Sequence, residues 1–166
     1  MSKVIVISDV DGCLTDGKFI YTADGKVAKI YGPHDADGVK LLKKNNVDLI
    51  FISADKRGFP ITHKRITDMK CEVINVTEAD RKEWIANYIK EKEVEYGEPV
   101  ISVFFGDGIS DAEAADIVDV FIAPQNARIE AKAVARYVTP SEGGNGAFLD
   151  LAQYVIEELE YYLGKI

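Results

Sequence analysis

The chain has 166 residues, 47% apolar and 29% charged, and its 28 acidic against 20 basic side chains leave a net charge of -8. That length and composition describe one globular domain over residues 1–166, large enough to close a hydrophobic core. The acidic balance argues against nucleic acid or a membrane surface as partner, because neither offers the positive charge to meet it.

Two cysteines, Cys13 and Cys71, are too few for a disulfide framework, and no Cys/His cluster suggests zinc. No apolar run approaches the roughly 18 residues of a membrane span, and the N-terminus lacks the pattern of a signal peptide. A reduced cytoplasm is the expected compartment.

In chain order, Val4–Ile7 is a β-branched apolar run, as expected of a strand buried on both faces. Phe19–Tyr21 and Val27–Tyr31 flank an Ala-Asp-Gly turn, which predicts a hairpin inserted at about 17–32. A helix over "DGVKLLKKNN", a strand over "VDLIFIS", a helix from Pro60 to about Lys70 and a strand over "EVINV" follow. Trp84, Ile85, Tyr88 and Ile89 recur at helical spacing between Ala79 and Lys92, and "VISVFF" is the next buried strand. "VDVFIA" and "RYVT" bracket a helix over "ARIEAKAVA". A last helix starts near Gly146, with Phe148, Leu151, Ala152, Val155, Leu159 and Tyr162 on one face. Strands alternating with helices predict an α/β fold, a doubly wound and mainly parallel sheet with a hairpin after strand 1. The spacing leaves no room for a cap domain.

The stretch "VIVISDVDGCLTDG" drives the first strand into three carboxylates, Asp9, Asp11 and Asp16. In open α/β sheets, ligands bind outside the carboxyl ends of the strands. Strand 1 runs into Asp9 and Asp11, "LIFIS" ends at Ser53, and "VISVFF" runs into Asp107 with Asp111 a turn later. Any one of these suits a turn or a helix N-cap. Delivered together to one sheet edge, the carboxylates repel one another unless a cation sits between them. Oxygen ligands without His or Cys favour a hard ion, Mg²⁺ before Ca²⁺ or Zn²⁺. A calcium-binding EF-hand loop fails on spacing, since Cys13, Leu14 and Ile20 stand where it needs an acid, a glycine and a glutamate.

Mg²⁺ beside an exposed Asp suits phosphoryl transfer through an aspartyl-phosphate. A second Asp two positions on can protonate the leaving oxygen and later deprotonate water.

"DVDGCLTDG", "FISAD", "EADRKEW" and "FFGDGISDAEAA" resemble, in order, the four motifs of the haloacid dehalogenase (HAD) superfamily. The hairpin, "DGVKLLKK" and "YVTPSEGGNGAFLD" are similar to its capless branch of sugar-phosphate phosphatases, typified by 3-deoxy-D-manno-octulosonate 8-phosphate (KDO 8-phosphate) and sialic-acid-type phosphatases. The resemblance implies a Rossmann-like HAD core and a Mg²⁺-dependent phosphatase acting on a small phosphorylated sugar or sugar acid. It implies Asp9 as nucleophile, Asp11 as general acid/base, and Asp9, Asp11 (through its carbonyl) and Asp107 as metal ligands. Asp111 would orient the site from behind, and Ser53 would hold a phosphoryl oxygen. Lys82 is the choice for the third-motif base, with Arg81 the alternative one register away. Lys64 and Arg65 are candidate substrate-binding residues.

Two departures, Asn145 where sugar-acid phosphatases carry Arg and Asp68 where a Lys can stand, remove positive charge from the leaving-group side. The resemblance also implies a homotetramer assembled through the hairpin, with Phe19, Ile20, Tyr21 and Tyr31 at the interface. A phosphoryl-accepting signalling module lacks a counterpart of Asp11, and a catalytically silent oligomeric relative has no need of the full acid set. An open site fits hydrolysis better than a mutase, which must keep water out. Gly143 and Gly144 either approach the site or only turn the chain before the last helix, and Asp35 reads as a helix N-cap.

Overall fold

The computed structural model describes residues 3–159; Tyr162 lies outside them. The chain runs through β1 (Lys3–Asp9), β2 (Ile20–Thr22), β3 (Gly25–Ala28), α1 (His34–Lys44), β4 (Asp48–Ser53) and α2 (Phe59–Asp68). It continues through β5 (Val73–Asn75), α3 (Arg81–Tyr96), β6 (Val100–Phe105), α4 (Ile109–Ala112), β7 (Val120–Ala123), α5 (Ile129–Val134), β8 (Tyr137–Val138) and α6 (Ala147–Glu158).

Six strands form one sheet in the order β5-β4-β1-β6-β7-β8, with every pairing parallel. After β1 the chain builds outward through β4 and β5, then returns to β6 and builds the other way. This reversal leaves a crevice at the carboxyl ends of β1, β4 and β6, where doubly wound sheets bind ligands. The expected Rossmann-like fold without a cap domain is the observed one.

β1 is apolar on both faces because helices cover both faces. Val4 and Val6 join a core with Leu42 of α1, Ile66 of α2 and Phe148, Leu151 and Val155 of α6. Ile7 faces a second core containing Ile85 of α3 and Ala131 of α5. Gly38 lets α6 close on α1, since a Cβ there would press on the Phe148 ring.

Three local differences from the sequence expectations have physical causes. β3 ends at Ala28, not Tyr31, because Lys29 leaves the hairpin ladder to bury its ammonium among carboxylates. α1 begins at His34 behind Pro33, and its N-cap makes no side-chain hydrogen bond. Asp35 is therefore not a cap. It is buried in the first turn, 3.8 Å from Arg65, and burial outweighs the Arg65 charge to push its carboxyl up to about 7. α3 continues to Tyr96 and stops at Gly97, whose left-handed φ of 69° ends it.

Phe148 sits with its ring centroid 5.4 Å from Phe51 and 6.3 Å from Phe105, joining α6 to the sheet. Phe148→Ala should lower unfolding stability by about 3–5 kcal/mol through lost burial and a residual cavity, measured by denaturant titration followed by circular dichroism.

Candidate active site

Asp9 is the last residue of β1, buried and paired in register with Ile52 of β4. Its Oδ1 accepts the Val10 N–H at 2.9 Å, which fixes the orientation of the carboxylate. The following loop is braced from within: Thr15 Oγ1 accepts the N–H groups of Gly12 and Gly17, each at 3.1 Å. Gly12 has a φ of +85°, and a Cβ there would overlap the Asp107 carboxylate. The spacing of the first motif is thus shaped to admit a second acid arriving from β6.

Asp107 follows Gly106 beyond the end of β6. Ligand atoms of Asp9, Cys13 and Asp107 lie within 4.8 Å of one another. Asp111 holds this loop from behind, its Oδ2 accepting the N–H of Asp107 at 2.9 Å and of Gly108 at 3.0 Å. Its Oδ1 accepts from Arg81, the first residue of α3, whose guanidinium also comes within 3.8 Å of Asp9. Arg81 is buried.

Of the two third-motif candidates, helix geometry brings the alternative, Arg81, against the acids and leaves the chosen Lys82 outside. Successive helical residues point about 100° apart. With Arg81 turned inward, Lys82 is left on the exposed face, paired with Asp116 at 2.8 Å.

Burial, reinforced by Asp111 and opposed by Arg81, raises the Asp9 carboxyl well above its usual range. Asp107 is pushed up to about 7, by burial first and by Asp111 next. Two neighbouring carboxyls pushed up in this way, one buried and one half-buried, make a fitting site for a divalent cation, which would stabilise both as anions. Cys13 does not extend the ligand set, because its thiol faces the Phe105 carbonyl at 3.8 Å and burial pushes its pKa up. The remaining donors are oxygen.

A cavity of about 340 Å³ opens over these groups. Asp9, Asp11, Asp55, Glu78, Asp107 and Asp111 line it, against the two basic side chains of Lys26 and Arg81. Ser53 ends β4 beside this floor, but its hydroxyl is buried and accepts the Asp55 N–H at 3.2 Å. Ala54 and Asp55, not Ser53, reach the cavity. Lys64 and Arg65 do not reach it either. Lys64 pairs with Asp68 one turn on at 2.9 Å, and Arg65 donates to the Gly32 carbonyl at 2.9 Å. Arg65 is turned toward α1 and the root of the hairpin, and Lys64 is exposed on the outer side of α2. Asp16, the third acid of the first motif, is exposed and accepts the Lys18 N–H.

The positive charge missing from α2 comes from the hairpin, which sequence reasoning treated only as an interface. Lys26 pairs with Asp55 at 2.8 Å. Lys29 reaches Asp11 and Asp55, each at 2.7 Å. The bonds from Lys26 and Lys29 outweigh the opposing effect of burial and hold the Asp55 carboxyl well below its usual range. The i, i+3 spacing in "GKVAK" is the only trace of this in the sequence. Asn126 was also missed. It donates to the Gly12 carbonyl at 3.0 Å and accepts the Gly143 N–H at 2.7 Å. A Cβ at Gly143 would collide with the carbonyls of Gly12 and Thr15, so the late glycine pair does pack onto the first motif. Asn145 is exposed beyond it.

No family model matches the chain. Among curated proteins, the chain is 27% identical over 152 residues to the 3-deoxy-D-manno-octulosonate 8-phosphate phosphatase of Haemophilus influenzae, covering 92% of this chain and 82% of that one. It is 23% identical to the N-acylneuraminate cytidylyltransferase of Oncorhynchus mykiss, over 92% of this chain but only 35% of that longer protein. The cobalt-bound deoxy-D-mannose-octulosonate 8-phosphate phosphatase of Haemophilus influenzae superposes with a TM-score of 0.79 at 24% identity, covering 97% of this chain and 91% of that one. The Moraxella catarrhalis enzyme of the same name, in complex with magnesium, phosphate and KDO, gives 0.79 at 21% identity, covering 96% and 89%.

The raised carboxyls predict how stability follows pH. Asp107 releases its proton near 3.8 in the unfolded chain but only at about 7 in the cation-free fold. The fold therefore binds the extra proton in that window, and its stability falls as pH rises through it. Asp55 acts with the opposite sign, but below the window. Melting temperature without divalent ions should fall from about pH 4 to pH 7. Added Mg²⁺ should remove part of that fall in the native chain and none of it in Asp107→Asn.

Proposed function

We propose, from the premise that this chain has the haloacid dehalogenase fold and is a homologue of that superfamily's phosphatases, that it hydrolyses a small phosphorylated sugar using Mg²⁺. The observation that carries this is the meeting of buried Asp9 and half-buried Asp107 in one crevice, with Asp11 two residues beyond Asp9. Relatives named for KDO 8-phosphate support a sugar phosphate as substrate.

Asp9 and Asp107, with the Asp11 carbonyl, would hold the ion, which when bound would neutralise phosphate charge and keep both carboxylates ionised. Asp9 attacks phosphorus and becomes the aspartyl-phosphate as the phosphorus–oxygen bond to the sugar breaks. Asp11 gives its proton to the departing oxygen. Asp11 then takes a proton from water, whose oxygen attacks the phosphoryl group, releasing phosphate and restoring Asp9. Arg81, 3.8 Å from Asp9, offsets charge on the phosphorylated form while Asp111 keeps it in place. Asp11 also separates this chemistry from a phospho-accepting signalling domain, whose aspartyl-phosphate must persist.

Phe19, Ile20, Tyr21, Val27 and Ile30 are exposed along the hairpin. A two-stranded ribbon with an apolar outer face gains by pairing with further copies. We assign it to a homotetramer interface, in a cytoplasmic protein whose Cys13 and Cys71 stay free thiols.

Asp9→Asn should abolish phosphate release from nitrophenyl phosphate while leaving the melting temperature unchanged or higher. Normal turnover by that variant would overturn the assignment of the nucleophile. Among phosphorylated sugars and sugar acids compared by kcat/KM, the preferred substrate should exceed nitrophenyl phosphate by at least about tenfold. Light scattering at micromolar concentration should give four times the chain mass, and Ile20→Asp should reduce it.

A further inference from the structure

The Lys29 ammonium occupies a position that the assigned chemistry does not use. Its side chain is fully buried. An ammonium has three N–H donors and no acceptor. Here three oxygens from three separate segments surround it: Asp11 Oδ1 at 2.7 Å, Asp55 Oδ2 at 2.7 Å and Thr62 Oγ1 at 2.9 Å. The first belongs to the loop after β1, the second to the loop after β4 and the third to α2. Lys29 itself comes from the base of the hairpin, directly after β3.

The hydrogen bond to Asp11 joins opposite charges, the stronger class, and Asp55 adds a second ion pair at 2.7 Å. Asp55 is anchored in turn by Lys26 and by the Gly58 N–H at 3.0 Å. Thr62 is buried within α2. Asp11 and Asp55 both line the cavity, and of the three acceptors only Asp11 belongs to the first motif. Lys29 holds one of its carboxylate oxygens, Oδ1.

We propose, resting on the phosphatase assignment above, that Lys29 is a positioning residue. Through its bonds to Asp55 and Thr62 it fixes the side-chain rotamer of Asp11, so that the hairpin sets the general acid against the leaving oxygen. In phosphotransferases that carry a lid, closure completes the catalytic geometry. Among the described residues only the hairpin and α1 stand between β1 and β4, and the base of the hairpin takes over that task. Because Asp55 remains as a second carboxylate, the buried ammonium keeps a charged partner whichever way the Asp11 side chain turns.

The test separates this role from plain structural support by using the leaving group. Lys29→Met keeps the apolar stem and removes the donors; Lys29→Arg keeps the charge. kcat/KM reports events up to transfer of the phosphoryl group to Asp9. In that step an alkyl alcohol needs a proton from Asp11, whereas nitrophenolate leaves without one. For Lys29→Met, kcat/KM on an alkyl phosphate such as glycerol phosphate should fall about 100-fold, the lower end of what a positioned general acid contributes. On nitrophenyl phosphate the fall should be at least about tenfold smaller.

Lys29→Arg should recover part of the alkyl activity. Should Lys29→Met fail to fold, Thr62→Val removes one anchor and should shift the ratio of the two activities in the same direction. Equal losses on both esters, or an unchanged ratio in Thr62→Val, would overturn the role of Lys29. A native chain that hydrolysed neither ester would instead strike down the phosphatase assignment.

Discussion

Everything in the crevice depends on one electrostatic constraint: Asp9, Asp107 and Asp111 lie together in a largely buried place, with the single guanidinium of Arg81 beside them. Taking a carboxylate out of water is expensive, and like charges nearby make it more so. One cation among three acids leaves the group short of positive charge, and the carboxyls of Asp9 and Asp107 are both pushed up. Such an arrangement costs stability at neutral pH. It is well matched to a divalent ion, which would stabilise both carboxylates as anions. The electrostatic cost of the site and its fitness for metal have one origin.

Close backbone approach is the second requirement. The loop after β1 must lie against Asp107 on one side and against the turn before α6 on the other. Gly12 meets the first demand, and Gly143 the second, because a Cβ at either position would overlap its neighbour. Asn126 bridges the two backbones. Segments more than 100 residues apart in sequence are thereby locked around the nucleophile.

The hairpin carries exposed apolar side chains, among them Ile20, Tyr21 and Ile30, while Lys26 and Lys29 hold its base against the acids of the first and second motifs. One short element thus combines an apolar surface with a charged root at the site.

The order of strands and helices, the parallel sheet and the delivery of Asp9 and Asp107 to one edge were legible in the sequence. Each follows from local periodicity and from the rule that acids at strand ends meet at the crevice. Side-chain direction was not legible. Whether Arg81 or Lys82 turns inward depends on where α3 begins, a matter of one residue and about 100°. Lys64 and Arg65 looked like substrate contacts because α2 follows the second motif, yet Arg65 turns to Asp35 of α1 and Lys64 pairs with Asp68 in solvent. Lys26 and Lys29 carry no signal in the sequence, because nothing local reveals that the base of the hairpin reaches the first motif. Sequence alone determined which groups gather at the edge of the sheet. Only the tertiary structure decided which of them point inward, since that is set by contacts between segments distant along the chain.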